Sequence, residues 1–290
     1  MLTFKKMLFP VDLSESSIDA APYVAAIARK FESEIILLHA LEVYNGLAYG
    51  DASTATLYRA YENEIRQSRT AELETFGFEE FKDLKVTRSV ETGEAAHRIT
   101  QYADEHGIDL IVMPTHGLGR FRRFLLGSVT SKVLHDTGRP VWTMAHAEKL
   151  AAGAGQHIRD IVCAVDLCSN SVRAIRAAAD IANRYGAQVN LVHAIPCPDL
   201  GRGIIEDASF QRFLFDAASQ KIAALQAESQ TQFDTSIKHG NVASVVRESA
   251  LLSNAQLVVI GRGRMQEFLG RLRTNVSAII REAPCPVLSV

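Results

Sequence analysis

Ile108-Asp109-Leu110-Ile111-Val112, followed by Met113–Val129 (MPTHGLGRFRRFLLGSV), is the stretch that decides the fold of this chain. The apolar run predicts a buried strand, and the residues from Ser128 onward predict a helix. Glycines between them leave room for backbone N–H groups to approach an anion: Gly117, Gly119 and Gly127. Arg120 adds positive charge. The stretch therefore predicts a phosphate site, with a glycine-rich connection that binds no ligand as the alternative.

Strands and helices alternate on both sides of this loop. The patterns predict strands over 6–11, 34–41, 85–90, 109–113 and 140–144. They predict helices over 18–31, 57–76, 94–106 and 128–136. Continuous apolar runs such as Ile35–Leu38 are typical of strands covered on both faces. This alternation indicates an α/β domain with a parallel sheet built from right-handed βαβ units.

The whole pattern then starts again. Residues 147–156 are small and lack apolar periodicity, which is typical of a linker. Beyond them, residues 161–194 repeat residues 7–40 at an offset of 154 without a gap, and 11 of these 34 positions are identical. We therefore predict two tandem doubly wound domains, over residues 1–146 and 158–290, joined by a linker over residues 147–157.

Composition excludes several classes of protein. The 290 residues are 47% hydrophobic and 22% charged, which suits a globular protein with one or two cores. A net charge of −2 gives no basic field for nucleic acid or an anionic membrane. No apolar run reaches the roughly 18 residues of a membrane span, and the N-terminus lacks a signal-peptide pattern. Four irregularly spaced cysteines favour reduced thiols in a cytoplasmic protein rather than a zinc site.

The combined motifs resemble the universal stress protein family over the whole chain. A first strand ends in Pro10-Val11-Asp12, and a second ends in His39-Ala40. After the fourth strand, Gly117 is followed nine residues later by Gly127-Ser128-Val129, which is the spacing of that family. Pro114 stands where the family has its first glycine, and proline offers no N–H there.

The resemblance implies five-stranded parallel sheets of order 3-2-1-4-5, with ATP bound between strands one and four. It implies that Asp12 reaches the adenine or ribose, and that Pro10, Val11, Ala40 and Met113 line the base pocket. It implies that the phosphates are surrounded by His116, Gly117, Gly127, Ser128 and Val129. Pro114 stands at a further binding position, where it cannot supply an N–H. Arg120 is a further candidate phosphate contact, and the cofactor is ATP with or without Mg²⁺.

Structural roles compete with these ligand roles. Asp12 and its counterpart Asp166 are also suited to cap the helices that follow them. His39 and His193 end buried strands, where a hydrogen-bonded core histidine is more common than a catalytic one. In the second half, Arg273-Thr274 replaces Gly127-Ser128, and the bulk of the arginine predicts a degenerate nucleotide loop. We therefore expect ATP to prefer the first half.

Three functions remain in competition. The first is a nucleotide-binding stress-response protein that acts as a sensor or adaptor. The second is a slow ATPase or phosphotransferase, although the sequence has no P-loop, no nucleophile elbow and no base paired with the phosphate loop. The third is a structural pseudodimer that no longer binds nucleotide. We expect the strands at 141–144 and 287–290 to pair the two halves as an intramolecular pseudodimer, with homodimerisation as a further option.

Overall fold

The computed structural model describes residues 2–42, 52–115, 126–145, 154–196, 208–262 and 271–290. Three candidate site residues, His116, Gly117 and Arg120, lie outside these ranges, as does most of the predicted linker.

The first half begins with a strand–helix–strand unit: β1 (Lys6–Pro10), α1 (Glu15–Phe31) and β2 (Glu34–Leu41). Its middle contains α2 (Ala52–Thr75), α3 (Phe78–Phe81), β3 (Val86–Thr92) and α4 (Ala95–Glu105). It ends with β4 (Leu110–Pro114), α5 (Ser128–Asp136) and β5 (Val141–Met144). The predicted bounds of β2 and α5 agree with these, because apolar continuity defines the strand and Gly127 immediately precedes the helix.

The second half repeats this order after a short 3-10 helix, Ala154–Gln156. It comprises β6 (Asp160–Ala164), α6 (Ser171–Tyr185), β7 (Gln188–Ile195), α7 (Ala208–Ser229) and β8 (Asp234–His239). It closes with α8 (Val242–Leu252), β9 (Leu257–Ile260), α9 (Arg271–Glu282) and β10 (Val287–Ser289).

The ten strands of the described ranges form one sheet of order β3-β2-β1-β4-β5-β10-β9-β6-β7-β8. Each half contributes a parallel sheet of order 3-2-1-4-5, which confirms the predicted fold class. One buried apolar cluster involves α1 and α6, and another, on the opposite face, involves α4, α5, α8 and α9. The sheet is thus covered on both faces, as its apolar strands require.

The two halves meet at an antiparallel pair between β5 and β10, in which Trp142 lies opposite Leu288. Hydroxyls at equivalent positions reinforce this pair from both sides. Thr143 Oγ1 donates to the Val287 carbonyl (3.1 Å), and Ser289 Oγ donates to the Val141 carbonyl (3.2 Å). Because these side chains are buried, their hydrogen bonds remain shielded from water.

A second contact between the halves is also reciprocal. Phe31 and Tyr185, which are equivalent at the offset of 154, pack with ring centroids 6.0 Å apart. Lys30 lies over the Tyr185 ring and Arg184 lies over the Phe31 ring, at 4.9 and 5.9 Å. Such exchange of equivalent contacts is the signature of a twofold interface.

Several local predictions need correction. Helix α2 begins at Ala52 rather than Leu57, because no glycine or proline stops it between these residues. The short helix α3 was not predicted, and β3 continues to Thr92 because Thr92 pairs with Leu41. At the end of the predicted linker, Gly155 is buried against α1, where an added Cβ would lie 2.9 Å from the Tyr23 carbonyl oxygen.

Candidate functional site

The loop after β1 holds Asp12 in a fixed position. Its Oδ1 accepts hydrogen bonds from the Ser17 hydroxyl (2.7 Å) and from the backbone N–H of Ser14 (3.1 Å). The N-cap of α1 is Ser14, so Asp12 supports the cap instead of forming it. Leu13 makes the turn with a left-handed φ of 61°. The second oxygen of Asp12, Oδ2, has no partner among the described residues and is available to a ligand.

His39 orients the end of β1 from the neighbouring strand. Its Nδ1 lies 2.8 Å from the Val11 carbonyl oxygen, so Nδ1 carries the hydrogen and donates it. The ring is buried, with 8% of its surface exposed. This geometry gives His39 a positioning role, in line with a hydrogen-bonded core histidine.

The carboxyl end of β4 is tied to the start of α5. The Gly127 N–H donates to the Thr115 carbonyl oxygen at 2.9 Å, and Thr130 Oγ1 donates to the Pro114 carbonyl oxygen at 3.2 Å. A Cβ at Gly127 would lie 3.0 Å from that same Thr115 oxygen. The Thr115 carbonyl therefore disfavours any side chain at position 127. Because the Gly127 N–H already donates to this carbonyl, it is not available to a phosphate.

The anion-binding capacity instead belongs to the next three N–H groups. The first i→i−4 bond of α5 runs from Ser131 N–H to the Gly127 carbonyl oxygen at 2.9 Å. Ser128, Val129 and Thr130 therefore have no helical acceptor four residues back. Their N–H groups and the helix dipole create partial positive charge at the end of β4, which favours an anion.

The described candidate residues converge on one edge of the sheet. Pro10 ends β1, and Val11 and Asp12 follow it. Ala40 lies near the end of β2, and Met113 and Pro114 end β4. Since β1 lies between β2 and β4, these residues meet where the strand order reverses, which is where open α/β sheets bind ligands. Val11 and Met113 are buried there, and Asp12 is exposed.

Four supporting residues of this site were not singled out from the sequence: Ser14, Ser17, Thr115 and Thr130. The sequence suited Asp12 to a helix cap, but it did not indicate which hydroxyls would hold the Asp12 carboxylate. Nothing in the local pattern indicated the bonds that join β4 to α5, because they link residues brought together only by the packed sheet.

Comparison with known proteins identifies the family. The family model described as the universal stress protein family matches residues 3–144 and 157–290. The chain belongs to the universal stress protein family. A universal stress protein of Methanocaldococcus jannaschii is 30% identical over 156 residues, which cover 48% of this chain and 93% of the relative. One of Synechocystis is 32% identical over 149 residues, covering 49% of this chain and 85% of the relative.

A solved structure extends the likeness to the full length. The crystal structure of a universal stress protein from Archaeoglobus fulgidus matches with a TM-score of 0.64 at 20% identity, covering 100% of this chain and 97% of that one. At this identity the match shows the fold alone. The sequence-based assignment to this family, as a tandem two-domain member, is confirmed.

The second universal stress domain repeats the loop geometry around its own aspartate. Asp166 Oδ1 accepts from the Ser171 hydroxyl at 2.7 Å, and Leu167 has a left-handed φ of 63°. His193 Nδ1 donates to the Val165 carbonyl oxygen at 2.9 Å. The first strand and its loop are therefore built alike in both domains.

The two domains differ at the helix after the fourth strand. Helix α9 begins at Arg271, three residues before Thr274, which occupies the position of Ser128. Asn275 and Val276, the counterparts of Val129 and Thr130, therefore have helical carbonyls four residues back for their N–H groups. Arg273 replaces Gly127 here, and arginine favours helix over glycine by roughly 1 kcal/mol.

Arg262, which follows β9, does not serve as an anion contact in its own domain. Its Nη1 donates to the carbonyl oxygens of Leu134 and Thr137, both at 3.1 Å, and its Nη2 donates to that of Arg139. It thus binds the carboxyl end of α5 in the first domain. Burial, with the nearby charge of Arg173, lowers its pKa to about 10, so it remains charged at neutral pH.

The cysteines show no redox arrangement within the described residues. Burial raises the pKa of Cys163 and of Cys285 to about 12, which keeps both as thiols.

In the ranges that the structure describes, no helix combines the length and apolarity needed to cross a membrane.

Proposed function

We propose that this chain is a nucleotide-binding stress-response protein that binds ATP, with or without Mg²⁺, in its first domain. The observation that carries the proposal is the start of α5, where Ser128, Val129 and Thr130 present N–H groups at the carboxyl end of β4. The helix terminus suits phosphates, and the buried Val11 and Met113 suit a base. Family resemblance supports the same arrangement.

Replacement of Ser128 by proline tests this directly. Proline is favoured at the first helical position, and the ψ of 147° at Gly127 suits a residue before proline. Ser128→Pro should therefore keep the fold while it removes one N–H and one hydroxyl. We expect at least a tenfold loss of ATP affinity by calorimetry on the full chain.

The matched control is Ser128→Ala, which removes the hydroxyl only. We expect a smaller loss for this variant, since the backbone donors remain. Equal affinity of wild-type protein and Ser128→Pro, with circular dichroism showing both to be folded, would contradict phosphate binding at α5.

The bound nucleotide acts in this proposal as a conformational ligand for a sensor or adaptor, not as a rapidly consumed substrate. A ligand shifts a protein only through its different affinities for two states. The sequence offers no base paired with the phosphate loop, and His39 is a buried ring whose Nδ1 donates to the Val11 carbonyl oxygen. We expect turnover well below the roughly 1–100 s⁻¹ of kinases. A single-turnover rate of ATP hydrolysis in that range, lost in Ser128→Ala or His116→Ala, would show that the protein is an enzyme and would contradict this proposal.

The two domains act in this proposal as an intramolecular pseudodimer. The ring contact of Phe31 with Tyr185 supports it, and so do the reciprocal hydrogen bonds that Thr143 and Ser289 donate across the β5–β10 pair. Because β5 and β10 already pair, a second chain is not needed to cover these strands. Sedimentation at micromolar concentration should therefore give a monomer, and a stable homodimer would contradict this part. A cytoplasmic location remains an expectation.

A further inference from the structure

A cavity of about 600 Å³ lies at the boundary between the two domains. Asp160 and Gln188, which begin β6 and β7, line it, so it opens at the amino ends of the strands. The proposed ATP site lies at the opposite edge of the sheet, beyond the carboxyl ends. Lys30, from the last turn of α1, brings the first domain into the cavity wall. The volume is within the roughly 300–1,000 Å³ of small-molecule sites.

Two side chains bring permanent positive charge to this cavity, Lys30 from the first domain and Arg159 from the second. The Lys30 ammonium lies 4.9 Å from the centre of the Tyr185 ring, which also lines the cavity and so holds the charge there. Within the described parts of the chain, neither Lys30 nor Arg159 forms an ion pair. Both charges are therefore available to an anion.

The two domains place these cations at equivalent positions. At the offset of 154, Lys30 corresponds to Arg184, and Arg159 corresponds to Lys5. The backbone supports the second correspondence, because the carbonyl oxygens of Lys5 and Arg159 each accept an N–H from the first residue of the following strand, at 2.8 and 2.7 Å. The pair of basic positions is thus repeated across the pseudo-twofold axis.

The copy of this pair that contains Arg184 and Lys5 has a carboxylate of its own. Glu32, which caps α1 with a left-handed φ of 55°, lies 2.9 Å from Arg184 Nη2 and 3.9 Å from Lys5 Nζ. The counterpart of Glu32 is Gly186, which caps α6 with a φ of 69° and lines the cavity without a side chain. The cavity therefore repeats a carboxylate-binding arrangement from which the carboxylate has been removed.

The remaining polar side chains limit the charge of a ligand. Asp160 adds one carboxylate to the cavity, at the position where the first domain has Lys6. Two permanent cations facing one carboxylate favour a single anionic group over a polyanion. The side-chain amides of Gln156 and Gln188 also line the cavity, and they offer donors and acceptors to an uncharged polar group.

We propose that this cavity binds a small organic acid whose single carboxylate takes the place that Glu32 has in the first domain. Lys30 and Arg159 bind the carboxylate, for which a guanidinium offers paired donors, and the glutamine amides bind the polar remainder of the molecule. Because the two cations come from different domains, the ligand links the domains when it binds. The site does not depend on whether the first domain binds ATP.

Titration of the full chain with glutaramate, followed by NMR, tests the proposal. Glutaramate carries one carboxylate and one amide, and the imidazole resonances of the lining residue His157 report occupancy. We expect saturable shifts with a millimolar Kd, and at least tenfold weaker binding of glutaramide, in which a second amide replaces the carboxylate. Pyrophosphate should bind more weakly than glutaramate because Asp160 opposes the additional charge. Equal binding of glutaramide, or tighter binding of pyrophosphate, would overturn the assignment.

Gly186→Glu restores the carboxylate that the first domain has. A Cβ at Gly186 meets nothing within 4 Å, and Glu32 already adopts the same left-handed conformation, so the variant should fold. We expect it to bind glutaramate at least tenfold more weakly, because its own carboxylate occupies the cations. The matched control is Gly186→Gln, which adds the same bulk and backbone strain without the charge, and its affinity should stay within about threefold of wild type. Equal losses in both variants would contradict the role of charge.

A second pair of variants removes a cation. Lys30→Met should weaken glutaramate binding about five- to tenfold, whereas Lys82→Met removes an exposed ammonium outside the cavity and should change nothing. Circular dichroism checks that each variant is folded. Unchanged affinity in both Gly186→Glu and Lys30→Met, or no binding of glutaramate to the wild-type chain at millimolar concentration, would refute the site.

Discussion

Arg262 of the second domain donates hydrogen bonds to three backbone carbonyl oxygens of the first domain, and the effect of removing these bonds on stability can be estimated. Arg262→Met keeps the length of the side chain but leaves the carbonyl oxygens of Leu134, Thr137 and Arg139 without their donor. Hydrogen bonds to a charged group contribute about 1.5–3 kcal/mol each. Burial of the guanidinium charge opposes these bonds, and it costs about 3 kcal/mol because it lowers the pKa of Arg262 from 12.5 to about 10. The three bonds together exceed this cost, so we expect a net destabilisation of about 2–6 kcal/mol.

Calorimetric and denaturant unfolding of the full chain measure this difference, and hydrogen exchange locates it. The carboxyl end of α5 should lose protection first, because its carbonyls lose the guanidinium. Arg262→Lys should be intermediate, since an ammonium keeps the charge but lacks the planar fork of donors.

Arg184→Met provides the matched control. Arg184 also joins the domains, donating to the Lys30 carbonyl and to Glu32, but its side chain is 36% exposed. Exposed pairs of this kind contribute less than about 1 kcal/mol. If Arg262→Met is no more destabilising than Arg184→Met, the burial argument is wrong.

Three further variants test the site and the interface. Gly127→Ala should lower stability by about 1–3 kcal/mol, because its Cβ meets a backbone oxygen at 3.0 Å, whereas Gly138→Ala meets nothing within 4 Å; equal denaturation midpoints would contradict this. Ser289→Ala should cost about 1 kcal/mol by loss of its buried bond across the β5–β10 pair, and no change in the midpoint would show that bond to be unimportant. The pKa of Glu94 is lowered chiefly by its hydrogen bond from the Lys132 ammonium, so the ionised carboxylate stabilises the fold at pH values above the pKa that Glu94 has in the unfolded chain. The difference in unfolding free energy between wild type and Glu94→Gln should disappear as pH falls through the lowered pKa. A difference that persists below that pKa would refute this pH dependence.

Much of the first-domain site follows from local sequence. The buried strand before Met113, the helix start at Ser128 and the aspartate at the end of β1 are each specified within a few residues. The placement of Asp12 and Met113 at the same edge of the sheet also follows, because the alternating pattern predicts parallel strands whose carboxyl ends share one edge. The repeat at an offset of 154 placed Asp166 and His193 in the same way.

Other features required the packed chain. The role of Gly127 depends on the Thr115 carbonyl, and the sequence indicated only that a small residue was needed. Arg273 in place of Gly127 suggested a damaged loop, but only the structure shows that helix α9 begins earlier. Lys30 and Arg159 are distant in sequence, so their meeting at one cavity could not be predicted.

The sequence by itself determined the family, the α/β class, the duplication and the residues at the ends of the first strands. Short-range propensities and hydrophobic periodicity act within a turn or a strand, so they can be recognised in the sequence alone. Tertiary structure alone decided that Arg262 binds the carboxyl end of α5, more than 120 residues earlier in the chain. Local preference carries no information about such a partner, because the contact exists only once β5 and β10 have joined the two domains.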